Sequence, residues 1–203
     1  MLSERSGLPG PRANLSLADE FASVAPMDLI LRLAASDDEY LALCGSIGLG
    51  ELLVRGQDVA PHLRELAQDD RWRVREGVAR GLQRVGDVDP TRLRGIVARW
   101  ASDPEPLVQR AALAAICEPR LLSDRATAHA ALDACRTVTR AFLAGGVRNR
   151  VLRQALGYCW SVAIAGAPAE GLEYFSVVRQ NDDPDAQWIV RENLQKSRLQ
   201  RLL

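Results

Sequence analysis

Lysine is nearly missing from this chain: there is one, Lys196, against 25 arginines. The bias follows as readily from GC-rich coding as from any need for guanidinium chemistry, so it is weak evidence for phosphate binding. Aromatic residues make up only 5 % of the 203 positions and β-branched runs are scarce, which argues against sheets. No apolar run approaches the roughly 18 residues of a membrane span, so no membrane partner is expected. Met1–Leu15 carries no apolar core of a secretory signal. An excess of one charge is lacking too: 26 Lys+Arg balance 26 Asp+Glu. That disfavours both a globally basic nucleic-acid binder and an acidic tail protein. Cysteine is sparse: Cys44, Cys117, Cys135 and Cys159 form no CxxC pair, and His62 and His129 have no second ligand at metal spacing. Each cysteine sits in an apolar stretch and reads as a small hydrophobe. A reduced, cytoplasmic chain with no metal and no cofactor is the expectation. There is no P-loop, no Gly-x-Gly-x-x-Gly and no Gly-x-Ser-x-Gly. The segment Gly45-Ser46-Ile47-Gly48-Leu49-Gly50 is glycine-rich, but no strand precedes it. It is expected to allow close helix packing or to break a helix.

Against these absences stand 29 Ala and 29 Leu, with 47 % hydrophobic and 26 % charged residues overall. This is a globular composition rich in strong helix formers, and it predicts an all-α protein. Residues 1–15 lack periodicity and read as a flexible leader, with a single domain over 16–203. Ser16-Leu17-Ala18-Asp19 has the form of a capping box.

The dominant signal is internal repetition. Asp69-Asp70-Arg71-Trp72-Arg73-Val74-Arg75-Glu76 is nearly copied by Asp183 to Glu192, both carrying Trp-x-Val-Arg-Glu after acidic residues. A looser copy runs from Asp103-Pro104-Glu105-Pro106 to Arg110, and another begins at Asp37-Asp38-Glu39-Tyr40. Each unit reads as two helices. The second pairs about 60–66 with 71–85, where Val74, Val78, Leu82 and Val85 share one face. Asp69 or Asp70 stands at an N-cap position, and Gly86 at a helix C-terminus. The third pairs about 92–101 with 106–117. The fourth pairs about 127–143 with 150–165, split at Gly145-Gly146. The fifth pairs about 169–179 with 185–202.

Asp-x-x-x-x-Val-Arg at the start of a second helix, followed by Ala/Leu spacing, resembles HEAT repeats. Asp69 to Arg75 fits, and Asp103 to Arg110 fits with one extra residue. The run from Val74 to Leu113 is similar to the short bacterial HEAT repeats first described in phycobilin lyases. The resemblance implies a right-handed α-α superhelix, a HEAT-like solenoid of about five helical hairpins. It also implies that Arg75, Arg110 and Arg191 support packing between repeats, and that the second helices line the inner, concave surface.

Those second helices, counted over 71–86, 105–118, 147–166 and 185–203, sum to +8, whereas the first-helix segments sum to −4. Arg73, Arg80 and Arg84 fall within about 40° of one another, opposite the valine face. Arg148, Arg150 and Arg153 add a second group, and Lys196, Arg198 and Arg201 a third. The candidate partner- or nucleic-acid-binding residues are therefore Arg73, Arg80, Arg84, Arg150, Arg153, Lys196, Arg198 and Arg201. An ordinary solvated face is the alternative. No catalytic constellation is visible, so the first reading is a non-catalytic binding or scaffold protein that holds a protein partner on its concave face. The second reading is a DNA-binding or DNA-repair protein. Trp72/Glu76 and Trp188/Glu192 are i,i+4 pairs, and at fold level they resemble the tryptophan and acid that HEAT-like alkylpurine DNA glycosylases use in a basic groove. The competing expectation is that Trp72 and Trp188 seal joints between repeats, with Trp100 and Trp160 in the core.

Overall fold

The computed structural model describes residues 2–145 and 148–203. The described residues hold twelve α-helices and two short 3-10 turns, with no strand. The chain divides into two compact units, Met1–Asp89 and Pro90–Leu203.

The first unit contains α1 (Leu15–Val24), α2 (Met27–Ala34), α3 (Glu39–Val54), α4 (Ala60–Leu66) and α5 (Trp72–Val88). α3 is its axis, because it is apolar on every side: from Tyr40 to Leu53 only Leu41 and Glu51 escape full burial. A helix without a polar face must be surrounded, and α1, α2, α4 and α5 all pack on it. The glycine-rich run lies inside α3 and does not break it. It brings backbones together. A methyl group on Gly50 would strike the carbonyl of Gly81 on α5, and one on Gly77 would come within 2.9 Å of the Leu43 oxygen.

The segment read as a leader has its own contacts. Ser3–Arg5 forms a 3-10 turn. The Asn14 N–H donates to the Ser6 carbonyl at 2.7 Å, and Tyr40 donates its hydroxyl proton to the Asn14 carbonyl at 2.7 Å.

The second unit contains α6 (Pro90–Ala101), α7 (Pro106–Ile116), α8 (Arg125–Ala144), α9 (Arg150–Gly166), α10 (Pro168–Arg179), α11 (Pro184–Leu194) and α12 (Ser197–Gln200). Here α9 is the hub and packs on α7, α8, α10, α11 and α12. Trp160, on α9, is fully buried against Phe175 at a centroid distance of 5.5 Å, and its indole N–H donates to Thr139 at 2.9 Å. Asn193 of α11 is also buried. It accepts from the Ser161 N–H at 2.8 Å and donates to the Leu156 carbonyl at 2.9 Å, which ties α11 to α9.

The hairpins match the sequence reading, and four local details differ. α1 is capped by Asn14, which accepts from the Leu17 N–H at 3.1 Å, not by Ser16. α5 starts after Arg71 without a side-chain cap, because the Asp69 carboxylate instead accepts the Arg71 N–H at 2.8 Å in a turn. Gly86 is a buried position inside α5, which runs on to Val88. The last helix breaks between Leu194 and Ser197. Gly146 lies outside the described residues.

Candidate partner-binding surface

In the first unit Arg73, Arg80 and Arg84 of α5 each have an intramolecular carboxylate. Arg80 forms a two-pronged ion pair with Asp19 of α1, its Nε 2.9 Å from Oδ1 and its Nη2 on Oδ2. Arg84 reaches Glu51 of α3 at 2.7 Å and lies 3.9 Å from Asp19. Arg73 donates to Glu39 at 3.3 Å and to the Gly10 carbonyl at 3.1 Å. The predicted common face of Arg73, Arg80 and Arg84 thus exists, and α1 with the segment before it lies against that face. The Nε groups of Arg73 and Arg84 are buried with no acceptor, so their charge is balanced without every donor being satisfied.

In the second unit the candidates split. Arg153 pairs with Asp185 at 2.6 Å and stacks 4.6 Å above the Trp188 ring. Arg198 donates to the Tyr158 hydroxyl at 3.0 Å and stacks 4.8 Å over its ring. Arg150, Lys196 and Arg201 have no side-chain partner among the described residues. Arg148 bridges Asp183 at 2.8 Å and Asp185 at 3.5 Å.

A cleft of about 360 Å³ lies between α7 and α9, which are second helices of neighbouring hairpins. Arg110, Glu118, Gln154 and Tyr158 line it, and Tyr158 is 43 % exposed. Sequence reasoning missed this tyrosine, which carries no motif. Its exposure follows only from where α9 turns its face.

The tryptophans divide. Trp100 and Trp160 are core. Trp188 packs on Gly157 of α9, where a methyl group would come within 2.8 Å of the ring. Trp72 does not seal a joint: it is 49 % exposed, with the Arg73 guanidinium 4.5 Å from its ring centroid. Arg75 caps the turn before α5, donating to the Asp70 carbonyl at 2.8 Å and to that of Asp69. This is a packing role within its own repeat.

The four cysteines are free and buried. Three of them, distant in sequence, converge: the Cys117 sulfur is 3.9 Å from that of Cys135 and in hydrogen-bonding contact with Cys159. The Cys135 contact and burial raise the Cys117 pKa against the opposing effect of Cys159, the Cys117 contact and burial raise that of Cys159, and burial raises that of Cys135. Cys44 is pushed up to about 12 by burial. Such thiols stay protonated and are poor nucleophiles. Among the described residues no group of three or more His, Cys, Asp or Glu side chains could hold a metal ion. No helix of the described residues is long and apolar enough to cross a membrane.

Residues 26–117 match the HEAT-repeat family. Residues 26–117 carry HEAT repeats. The match spans the hairpins α2/α3, α4/α5 and α6/α7, and it is to HEAT repeats in general, with no narrower subfamily. No curated protein and no solved structure matches the chain. HEAT repeats generally mediate protein–protein interaction or scaffolding.

Proposed function

We propose that this HEAT-repeat protein is a non-catalytic binding module that holds an acidic protein partner against α7, α9 and the chain end in its second unit. The observation that carries the reading is Tyr158, a half-exposed ring at the rim of the α7/α9 cleft with a guanidinium stacked on it. Tyrosine and arginine are the side chains that most often supply concentrated binding energy at interfaces. Arg150, Lys196 and Arg201, without carboxylate partners, add the positive charge that would steer an acidic surface. The nucleic-acid reading draws less support, because Arg73, Arg80 and Arg84 are matched by Glu39, Asp19 and Glu51. A phosphate backbone would have to displace those carboxylates.

The test is affinity capture with the wild-type chain and with Tyr158→Ala/Arg198→Ala as baits. A defined partner, retained by the wild type and lost by a variant of unchanged helicity, is the expected result. A turnover abolished by a point mutation would refute the non-catalytic reading. Salt-sensitive DNA binding that Arg150/Lys196/Arg201→Ala removes would favour the nucleic-acid one.

A further inference from the structure

We propose that the pocket between α8 and α10 binds a small carboxylate with an apolar tail. The pocket shares no lining residue with the α7/α9 cleft, and the proposal does not depend on the partner reading. It has a volume of about 380 Å³, at the low end of the roughly 300–1,000 Å³ usual for small-molecule sites. At the roughly 30 Å³ that a water-sized group occupies in a liquid, this is room for about ten to twelve heavy atoms.

The interior is hydrocarbon. Trp160, Val178 and Leu143 supply it, and the one polar group of Trp160 is already spent on Thr139. The mouth is cationic. Arg136 and Arg140 stand one turn apart on α8, where side chains four residues apart are neighbours. Arg136 lies 4.7 Å from the Tyr174 ring centroid and shares its charge with Asp133 at 3.0 Å. Arg140 is exposed and has no partner among the described residues. None of the nine lining residues is acidic. Val177, 69 % exposed at the same rim, leaves apolar surface uncovered.

An unneutralised guanidinium beside an apolar hole of this size complements one chemistry. A carboxylate takes the planar fork of Arg140, and its tail replaces water against Trp160 and Val178. A neutral alcohol of the same length gains only the second contact, and a short carboxylate only the first.

Octanoate, 1-octanol and acetate are suitable probes, titrated calorimetrically into the full-length chain. Saturable octanoate binding is expected, at least tenfold tighter than 1-octanol, with no detectable acetate binding. Arg140→Ala, an exposed substitution, should weaken octanoate about tenfold and leave 1-octanol unchanged. Leu143→Trp, which fills the pocket, should abolish both, and Arg140→Glu serves as a second exposed variant should Leu143→Trp fail to fold. The proposal is overturned if wild type shows no saturable octanoate binding, if 1-octanol binds as tightly, or if Arg140→Ala and Arg140→Glu leave octanoate affinity unchanged.

Discussion

The contact between α3 and α5 can be tested with two opposite glycine substitutions. Gly50 and Gly95 are both glycines inside helices, α3 and α6. On propensity alone, alanine should stabilise either helix by about 0.8–1 kcal/mol. Their surroundings differ. At Gly95 the nearest atom to a new methyl group is the far end of the Arg99 side chain, at 3.8 Å. At Gly50 the methyl group would run into the carbonyl, the carbonyl carbon and the Cα of Gly81, all backbone. Backbone cannot rotate aside, so α5 must move outward by an ångström or more along its best-packed seam. That movement also drags Gly77 away from Leu43 and Gly81 away from Ser46, which face each other across the same seam. Overpacking a tight core costs about 1–3 kcal/mol and more where backbone is the obstacle. We therefore expect Gly50→Ala to destabilise by about 2–4 kcal/mol net of the propensity gain, and Gly95→Ala to stabilise by about 0.5–1 kcal/mol. Urea unfolding followed by far-UV circular dichroism measures both, with the two units fitted separately if the transition is not single. A Gly50→Ala protein as stable as wild type would refute the backbone-contact account of this seam.

Three further outcomes are expected. Asn193→Ala removes a buried amide that serves Ser161 and Leu156 and should cost about 2–4 kcal/mol in urea unfolding; a loss below about 0.5 kcal/mol would show that α11 is held by packing alone. The carboxyls of Asp69, beside Arg71, and Asp183, beside Arg148, titrate below their usual range because those guanidiniums donate to them. A lowered native pKa gives stability that is complete above the unfolded value near 3.9 and is lost as pH falls through the native one. Asp69→Asn/Asp183→Asn should therefore be less stable at pH 7 and show a shallower loss on acidification below about pH 4, measured as melting temperature against pH. An unchanged slope would show that these pairs do not govern acid stability. Finally, Asp19→Asn removes the carboxylate paired with Arg80 and the longer contact to Arg84, which keeps Glu51, a loss of a part-exposed pair worth about 1 kcal/mol. Trypsin should then cut faster at Arg12, just before α1, and an unaltered rate would show that α1 is anchored by its apolar face instead.

Helix positions were legible in the sequence because they depend on neighbours three and four residues away. The expected pair at about 60–66 and 71–85 is α4 over Ala60–Leu66 and α5 over Trp72–Val88. The face shared by Arg73, Arg80 and Arg84 was legible for the same reason. What covers that face was not, since Asp19 lies 61 positions before Arg80 and no local pattern pairs them. The same limit hid the meeting of Cys117, Cys135 and Cys159, which sit on separate segments, and the exposed Tyr158 beside the α7/α9 cleft. The near-identical Trp-x-Val-Arg-Glu segments show the division most directly. In one copy Trp188 settles on α9 because Gly157 leaves a hollow for its ring; in the other Trp72 stays half in solvent under Arg73. Sequence by itself determined the repeat, the helical hairpins and the charge on each helix face. Tertiary structure alone decided which of those faces is neutralised from within and which keeps cations without a carboxylate partner among the described residues, because ion pairing and burial are settled by residues that the chain brings together from far apart.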